Sequence, residues 1–175
     1  MVKKVVARVT NKVIDTSAIG GVAILGLDPA KQTGVADTLG LRAIWDLDVL
    51  SRGSHPGKYV LKIGEMLNSR LSKQKYEYVA YEKAAFGSSP AHRFTVAFHS
   101  NLEGVILSVC AAKNVDVIQL TPTEIKAASG YGASTKKDLM NAARIQCGEV
   151  IENDNIADAF WAVQAAIQKL RIEQE

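Results

Sequence analysis

The feature that most constrains this chain is an apolar run from Val22 to Leu27, which ends in Asp28. Such a run is typical of a strand that is buried on both faces of a sheet. A second short strand is predicted at Tyr78 to Tyr81, and it leads directly into Glu82. The sequence therefore predicts a covered sheet with two strands that each end in a carboxylate.

The order of the other elements predicts an α/β fold. Pro29 to Gly34 is predicted as a turn, and two further strands, Val35 to Thr38 and Ala43 to Leu50, are joined at Gly40, which gives a three-stranded meander. Helices and strands then alternate, so we expect a mixed sheet with helices packed on it. The remaining predicted elements are the helices Gly57 to Leu71, Ala91 to Ala112, Thr121 to Ala128, Thr135 to Cys147 and Asn155 to Ile172, and the strand Val115 to Ile118.

Length and composition indicate one globular domain. The chain has 175 residues, of which 47% are hydrophobic and 22% charged, values that suit a single core and exclude a disordered chain. We expect a basic N-terminal arm over residues 1–20 and the functional domain over residues 21–175. The most membrane-like uncharged stretch, Ala18 to Leu27, is too short for a bilayer, which takes about twenty residues to span.

The N-terminal sequence, the cysteines and the charges bear on compartment and partner. The basic start lacks the apolar core of a secretory signal, and Cys110 and Cys147 lack the spacing of a disulfide framework or a zinc site. We expect an intracellular, cytoplasmic protein with two buried thiols. Residues 1–93 carry fourteen Lys or Arg against eight Asp or Glu. That basic half suits a polyanionic partner, although solvated Lys-rich helix faces would give the same count.

Three carboxylates stand where they could converge. Asp28 and Glu82 end two strands, and Asp158 lies in the last helix, where neighbouring alanines would let the helix approach the sheet closely. Each has an ordinary explanation when taken alone. Asp28 could be a turn residue, and Asp158 could be a solvated residue that favours the helix dipole.

Converging carboxylates repel one another unless cations neutralise them, so such a cluster predicts a metal site. Oxygen ligands without Cys or His favour Mg²⁺, for which Mn²⁺ can substitute. Two such ions can activate a water and stabilise the leaving oxygen in phosphodiester hydrolysis, which suggests a nuclease. A nucleotide cofactor is not expected, because the turn from Asp28 to Gly34 has one glycine where the dinucleotide fingerprint needs three.

Four segments together resemble the RuvC family of Holliday-junction resolvases, within the RNase H-like nuclease superfamily. They are Ile24 to Gly34, the strand end at Glu82, Thr121 to Lys126, and Asn155 to Phe160. The similarity covers about residues 22 to 170. It implies an RNase H-like mixed β-sheet with helices on both faces. It also implies a homodimeric, Mg²⁺-dependent crossover junction endodeoxyribonuclease, a hydrolase that nicks four-way DNA junctions symmetrically in recombination, DNA repair or phage genome processing.

Residue by residue, the resemblance implies that Asp28, Glu82 and Asp158 are catalytic metal ligands. The family usually has an acidic residue three positions before the last Asp, and here that position is Asn155. We assign the fourth catalytic ligand to Asp154, which could instead be only an N-cap. Asn155 stays a possible ligand through its neutral carbonyl oxygen.

The resemblance also implies contacts with DNA. Lys136 and Lys137 correspond to a basic segment that contacts the phosphate or the junction, and Phe86 lies near the position of an aromatic residue that stacks at the junction centre. The helix Ala91 to Ala112 resembles the helix of the family's dimer interface. A solvated helix face, a core Phe and a helix packed on its own sheet are the respective alternatives.

Other functional classes remain open at this point. Another RNase H-like nuclease, acting on branched DNA or an RNA/DNA hybrid, would use the same carboxylate chemistry. A non-catalytic junction-binding protein could keep the fold. A sugar-kinase or actin-like nucleotide-binding domain also has a first strand that ends in Asp, but such proteins need a second related domain, for which 175 residues leave no room.

Overall fold

A computed structural model of the chain describes residues 8–9, 13–47, 55, 57–83, 93–130, 135–148 and 151–174. Within these residues the strands are β1 (Arg8–Val9), β2 (Ile24–Asp28), β3 (Gln32–Asp37), β4 (Leu41–Asp46), β5 (Tyr78–Glu82) and β6 (Asp116–Leu120). The helices are α1 (Gly57–Lys73), α2 (Arg93–Lys113), α3 (Pro122–Ala128), α4 (Lys136–Cys147) and α5 (Asp154–Ile172), with a 3₁₀ turn at Ser17–Ile19.

The strands form one mixed sheet in the order β1-β4-β3-β2-β5-β6. Strands β2, β3 and β4 pair in antiparallel fashion, which confirms the predicted meander, and Gly40 connects β3 to β4 with a positive φ of 102°. Strands β5 and β6 lie parallel to β2 on its other side. The expected α/β class with a mixed sheet is therefore confirmed.

Helices cover both faces of this sheet, as expected. Successive strand residues point to opposite faces, so Ile24 packs with the buried side chains of α3, α4 and α5, whereas Leu25 packs with those of α1 and α2. The two predicted thiols are buried, Cys147 on the first face and Cys110 on the second. None of the helices in the described ranges is long and apolar enough to cross a membrane.

Element boundaries differ from the predictions at the meander. Residues 32–34 belong to β3 rather than to the predicted turn, and β4 spans Leu41–Asp46 rather than Ala43 to Leu50, whose last three residues lie outside the described ranges. Helix α3 begins one residue after the predicted start, with Thr121 as N-cap, Pro122 at the first helical position and Glu124 completing a capping box.

Part of the predicted arm lies against the domain. Arg8 and Val9 pair with β4, the Ile14 amide donates to the carbonyl of Thr38 at 2.9 Å, and Ile19 is buried. Nothing in the sequence pattern had indicated a strand at residues 8–9, because two residues are too few to show a period. The division of the chain at residue 20 stays a prediction.

A buried carboxylate organises the end of the β3–β4 hairpin. Asp37 is fully buried and accepts hydrogen bonds from the amides of Leu39 and Leu41 at 2.9 and 2.7 Å. It also accepts from the Arg70 guanidinium at 2.7 Å and from the Tyr76 hydroxyl. We call Asp37, Arg70 and Tyr76 the Asp37 network. It joins the hairpin to α1 and to the segment that follows α1.

Helix α5 lies directly on the backbone of β2 and β3. A Cβ added at Gly26 would stand 2.4 Å from the carbonyl oxygen of Ala159, and one added at Gly34 would stand 1.8 Å from that of Asn155. Atoms do not approach this closely without displacement, so both positions exclude any side chain. The small residues on both sides bring the first turns of α5 to the end of β2.

We expect Gly34→Ala to destabilise the protein by about 3 kcal/mol or more, because α5 would have to move off the sheet. Urea denaturation measures this loss. Gly104→Ala in α2 is the control, because a Cβ there would meet no atom within 4 Å. That change should stabilise the helix by up to about 1 kcal/mol. Equal stabilities for the two variants would contradict the close approach of α5.

Candidate metal centre

Two of the predicted site residues lie side by side at one edge of the sheet. Leu27 of β2 is paired with Tyr81 of β5 in parallel register, so the following residues, Asp28 and Glu82, are neighbours at the carboxyl ends of these strands. Both side chains are partly exposed at this edge. The sheet thus delivers two carboxylates to the place that the sequence predicted.

The first turns of α5 bring the third carboxylate to the same edge. Asn153 is the N-cap, and its side chain accepts from the Asn155 amide at 2.9 Å. Because the backbone at Asn155 rests on Gly34, which pairs with Asp28, the helix starts beside the end of β2. Asp158, one turn further along, is partly buried there.

The charges of the carboxylates at this edge raise one another's pKa values. Burial, followed by the charges of Asp158 and Glu82, raises the pKa of Asp28 to about 7. Burial and then the charge of Asp158 also raise the pKa of Glu82. The pKa of Asp158 is raised by burial and by Asp154. The charges of Asp158, Glu82 and Asp154 thus make ionisation of a neighbouring carboxylate harder, so the edge is a site of concentrated negative charge.

Asp154 takes part at the margin of this cluster. Its Oδ2 accepts from the Lys136 ammonium at 3.2 Å, and this hydrogen bond holds the pKa of Asp154 below its ordinary value. The side chains of Lys136 and Asp154 are 72% and 48% exposed, so the pair itself contributes about 1 kcal/mol at most. Asp154 is not the N-cap of α5, because Asn153 is the residue at that position.

Two lysines face the cluster from other helices. Lys136, at the start of α4, lowers the pKa of Asp28, of Glu82 and of Asp158. Lys126 of α3 lowers the pKa of Glu82. Lys126 had no role in the sequence-based assignment, although it lies in one of the four segments that carried the resemblance. Lys137 is exposed, and Phe86 lies outside the described residues.

The side chain of Asn155 makes a contact with the sheet. Its side-chain Nδ2 donates to the backbone carbonyl of Gln32 at 2.7 Å, at the start of β3. The sequence could not indicate this bond, because its partner is distant along the chain. The bond ties the first turn of α5 to the sheet.

The residues present suit a hard cation by their chemistry. Asp28, Glu82, Asp158 and Asp154 offer only carboxylate oxygens, which Mg²⁺ and Mn²⁺ prefer, and their mutual repulsion would be relieved by positive charge. Among the described residues, no group of three or more Asp, Glu, His or Cys side chains is arranged so that it could hold a metal ion. The donor set fits the ion, and the ligand assignment stays a proposal.

The raised pKa of Asp28 has a consequence for stability. In metal-free protein, Asp28→Asn is expected to raise the melting temperature near pH 8 and to leave it almost unchanged at about pH 4. The pKa is about 7 in the folded protein and about 3.9 in an unfolded chain. The folded state therefore binds more protons between these values, and wild-type stability falls as pH rises through this window. Asp28→Asn has no carboxyl group to ionise at this position, so it does not lose this stability as pH rises.

Thermal melts in EDTA across this pH range measure the effect. Asp116→Asn is the control, because Asp116 is exposed at the start of β6. Its melting temperature should follow that of the wild type at every pH. If the Asp28→Asn curve also runs parallel to the wild-type curve, Asp28 does not carry an unfavourable buried charge.

The solved structures that are similar to this chain include two of Thermus thermophilus RuvC and one of a yeast resolvase. Thermus thermophilus RuvC in complex with a Holliday junction substrate has a TM-score of 0.71 and 19% sequence identity, and the match covers 87% of this chain and 96% of RuvC. A second Thermus thermophilus RuvC structure has a TM-score of 0.66 and 20% identity, covering 84% and 95%. The yeast mitochondrial Holliday junction resolvase Ydc2 has a TM-score of 0.63 and 12% identity, covering 93% and 82%.

Sequence comparison adds no closer relative. No family model matches the chain, and no curated protein is significantly similar to it in sequence. The structural match nevertheless spans nearly the whole length of RuvC. The expected fold is confirmed: the chain has the RNase H-like fold of RuvC, a mixed sheet with helices on both faces.

Proposed function

We propose that this protein is a structure-selective DNA endonuclease that resolves four-way junctions by symmetric, metal-dependent phosphodiester hydrolysis. The observation that carries the proposal is the group of Asp28, Glu82 and Asp158 at one sheet edge, electrostatically coupled, in the fold of RuvC. The RuvC structure that shares this fold contains a Holliday junction substrate. A DNA junction as substrate would place the protein inside the cell.

Asp28, Glu82 and Asp158 would hold the metal, with Asp154 as the fourth carboxylate. Two Mg²⁺ ions, or Mn²⁺ in their place, would supply the charge that activates a water and stabilises the leaving oxygen. The chain's own contribution is to fix these carboxylates on the ends of β2 and β5 and on α5, which are rigid elements. Protein atoms that are already in place need no reorganisation during the reaction.

The lysines would orient the phosphate. Lys136 faces the same carboxylates that would hold the metal, and its own side chain is 72% exposed, so a DNA phosphate can reach the ammonium group. Lys137, the next residue of α4, is exposed and would add a contact with the DNA backbone. Stacking of Phe86 on the bases at the junction centre remains part of the proposal.

Removing the Asp28 carboxylate is the first test. Asp28→Asn is expected to abolish cleavage of a four-way junction and to leave binding intact or tighter, because a metal ligand is lost and less negative charge faces the phosphates. Gel assays of nicking and binding measure both. Asp116→Asn should cleave at the wild-type rate. Nicking by Asp28→Asn at the wild-type rate would remove Asp28 from the site.

The same assay with other substrates separates the alternatives. A four-way junction, a duplex and an RNA/DNA hybrid are compared at one salt concentration, with and without Mg²⁺, because affinity for nucleic acid depends on salt. Preferred cleavage of the junction supports the proposal. Preferred cleavage of the hybrid indicates another RNase H-like nuclease. Binding of the junction without cleavage under any metal indicates a junction-binding protein.

The fourth ligand is tested by two neighbouring variants. Asp154→Asn is expected to raise the Mg²⁺ concentration for half-maximal cleavage far more than Asn155→Ala does, because only the first removes a carboxylate that offsets the charge of the ions. Mg²⁺ titrations of the cleavage rate measure the midpoints, and thermal melts check folding. If Asp154→Asn leaves the midpoint unchanged, Asp154 serves only as the partner of Lys136.

We also propose that the protein acts as a homodimer. One metal centre per chain must meet two symmetry-related strands of a junction, and a two-fold dimer supplies that geometry. The long helix α2 bears Leu107, which is 40% exposed. Light scattering at micromolar concentration should give twice the mass of 18.9 kDa. A monomer that still makes paired nicks would contradict the dimer.

A further inference from the structure

Asn155 binds a backbone carbonyl of β3 that has no partner strand beside it. The Lys31 carbonyl accepts from the Leu47 amide on the β4 side of the strand at 2.7 Å. Because carbonyls alternate in direction along a strand, the next one, that of Gln32, points to the β2 side. There β2 has already ended, since its last residue, Asp28, pairs with Gly34. The side-chain Nδ2 of Asn155 donates to the Gln32 carbonyl at 2.7 Å in place of a β2 amide.

The partner determines which end of the Asn155 amide makes this contact. A backbone carbonyl only accepts hydrogen bonds, so the group that faces it must be the NH₂ of the side chain. An aspartate at this position has no proton to donate at neutral pH. Its carboxylate would meet the Gln32 oxygen at the same place and be repelled by it.

A second contact on the same residue makes the position of the helix specific. The backbone carbonyl of Asn155 lies against Gly34, two residues beyond Gln32 on β3. The side chain and the backbone of one residue thus both rest on the start of β3. Together they fix the height and the rotation of the first turn of α5 relative to the end of β2.

We propose that Asn155 is a positioning residue that holds α5 on β3, so that Asp154 and Asp158 face Asp28. This inference rests on the proposed function for the role of those carboxylates. The resemblance placed a possible metal ligand at residue 155. The contact with Gln32 makes the Nδ2 of residue 155 a donor to the protein backbone, a role that an acidic residue at this position could not fill.

A matched pair of variants tests the assignment. Asn155→Asp and Asn153→Asp each add one negative charge to the start of α5 with almost no change of shape. Asn153 uses its side chain as an acceptor for the Asn155 amide, and aspartate caps equally well. Only the change at residue 155 removes the donor to Gln32. Asn155→Ala removes the donor without adding charge.

The first readout does not depend on nuclease activity. Amide hydrogen exchange at Ala157 and Asp158 should become about tenfold faster or more in Asn155→Asp, since the first turn of α5 opens more often. Asn155→Ala should give a smaller increase. Asn153→Asp should exchange like the wild type. Unchanged exchange in both variants at residue 155 would overturn the positioning role.

The second readout is cleavage of a four-way junction at saturating Mg²⁺, with junction affinity measured separately in Ca²⁺. Asn155→Asp should cleave about tenfold more slowly or worse at unchanged affinity, because a small displacement of reacting groups is costly. Asn153→Asp should stay close to the wild-type rate. Faster cleavage by Asn155→Asp, or a lower Mg²⁺ midpoint, would show that residue 155 is a ligand position and overturn the proposal.

The two readouts separate the inference from the function on which it rests. If wild-type protein cleaves no junction while Asn155→Asp still loses exchange protection that Asn153→Asp keeps, the proposed function is wrong and Asn155 still holds α5. If wild-type protein cleaves and both exchange and rate are unaffected by Asn155→Asp, the function stands and the positioning role is wrong.

Discussion

At Gly26 and Gly34 the backbone of α5 lies on the sheet at a distance that leaves no room for a Cβ. The contact is possible because the two glycines leave room for the backbone of α5 at Ala159 and Asn155. A helix held at the usual separation of packed side chains would carry Asp158 away from the strand ends. The close approach therefore sets how near the helix carboxylates lie to those of β2 and β5.

The carboxylate edge is electrostatically unfavourable in the absence of a counter-charge. Burial and mutual repulsion raise the pKa of Asp28, Glu82 and Asp158, whereas Lys136 and Lys126 relieve part of that repulsion. Carboxylates with raised pKa values are common at functional sites, where a bound cation can offset their charge. The rest of the fold supplies the stability that this edge does not, through two hydrophobic layers on either side of the sheet.

Local patterns allowed most of the fold to be predicted. The strand ending in Asp28 and the capped helix at Thr121 are recognisable because their signals lie within a few neighbouring residues. The convergence of Asp28 and Glu82 follows from two strands that are both buried and end in acids. The interpretation of Asp158 depended on the neighbouring alanines, and the close packing of α5 agrees with it.

Features that depend on distant partners could not be predicted. The sequence around Asn155 gives no sign of the hydrogen bond that its side-chain Nδ2 donates to the carbonyl of Gln32. Asp37 resembles any turn residue after a strand, and its partners Arg70 and Tyr76 lie far along the chain. The strand at residues 8–9 exists only because the edge of β4 accepts it. Long-range pairing of this kind leaves no periodic trace in the sequence.

The Asp37 network also bears on how the molecule comes apart. The carboxylate of Asp37 is bound by groups on the α1 side of the sheet, while its backbone carbonyl accepts from Arg42 at 2.8 Å. The Arg42 guanidinium lies over the ring of Phe160 in α5, on the opposite side. Loss of the α1 layer would remove the Arg70 guanidinium from the Asp37 carboxylate, and loss of the α5 layer would remove the Phe160 ring from the Arg42 guanidinium. Asp37 thus links contacts on both faces of the sheet, which favours unfolding of the two layers together rather than one at a time.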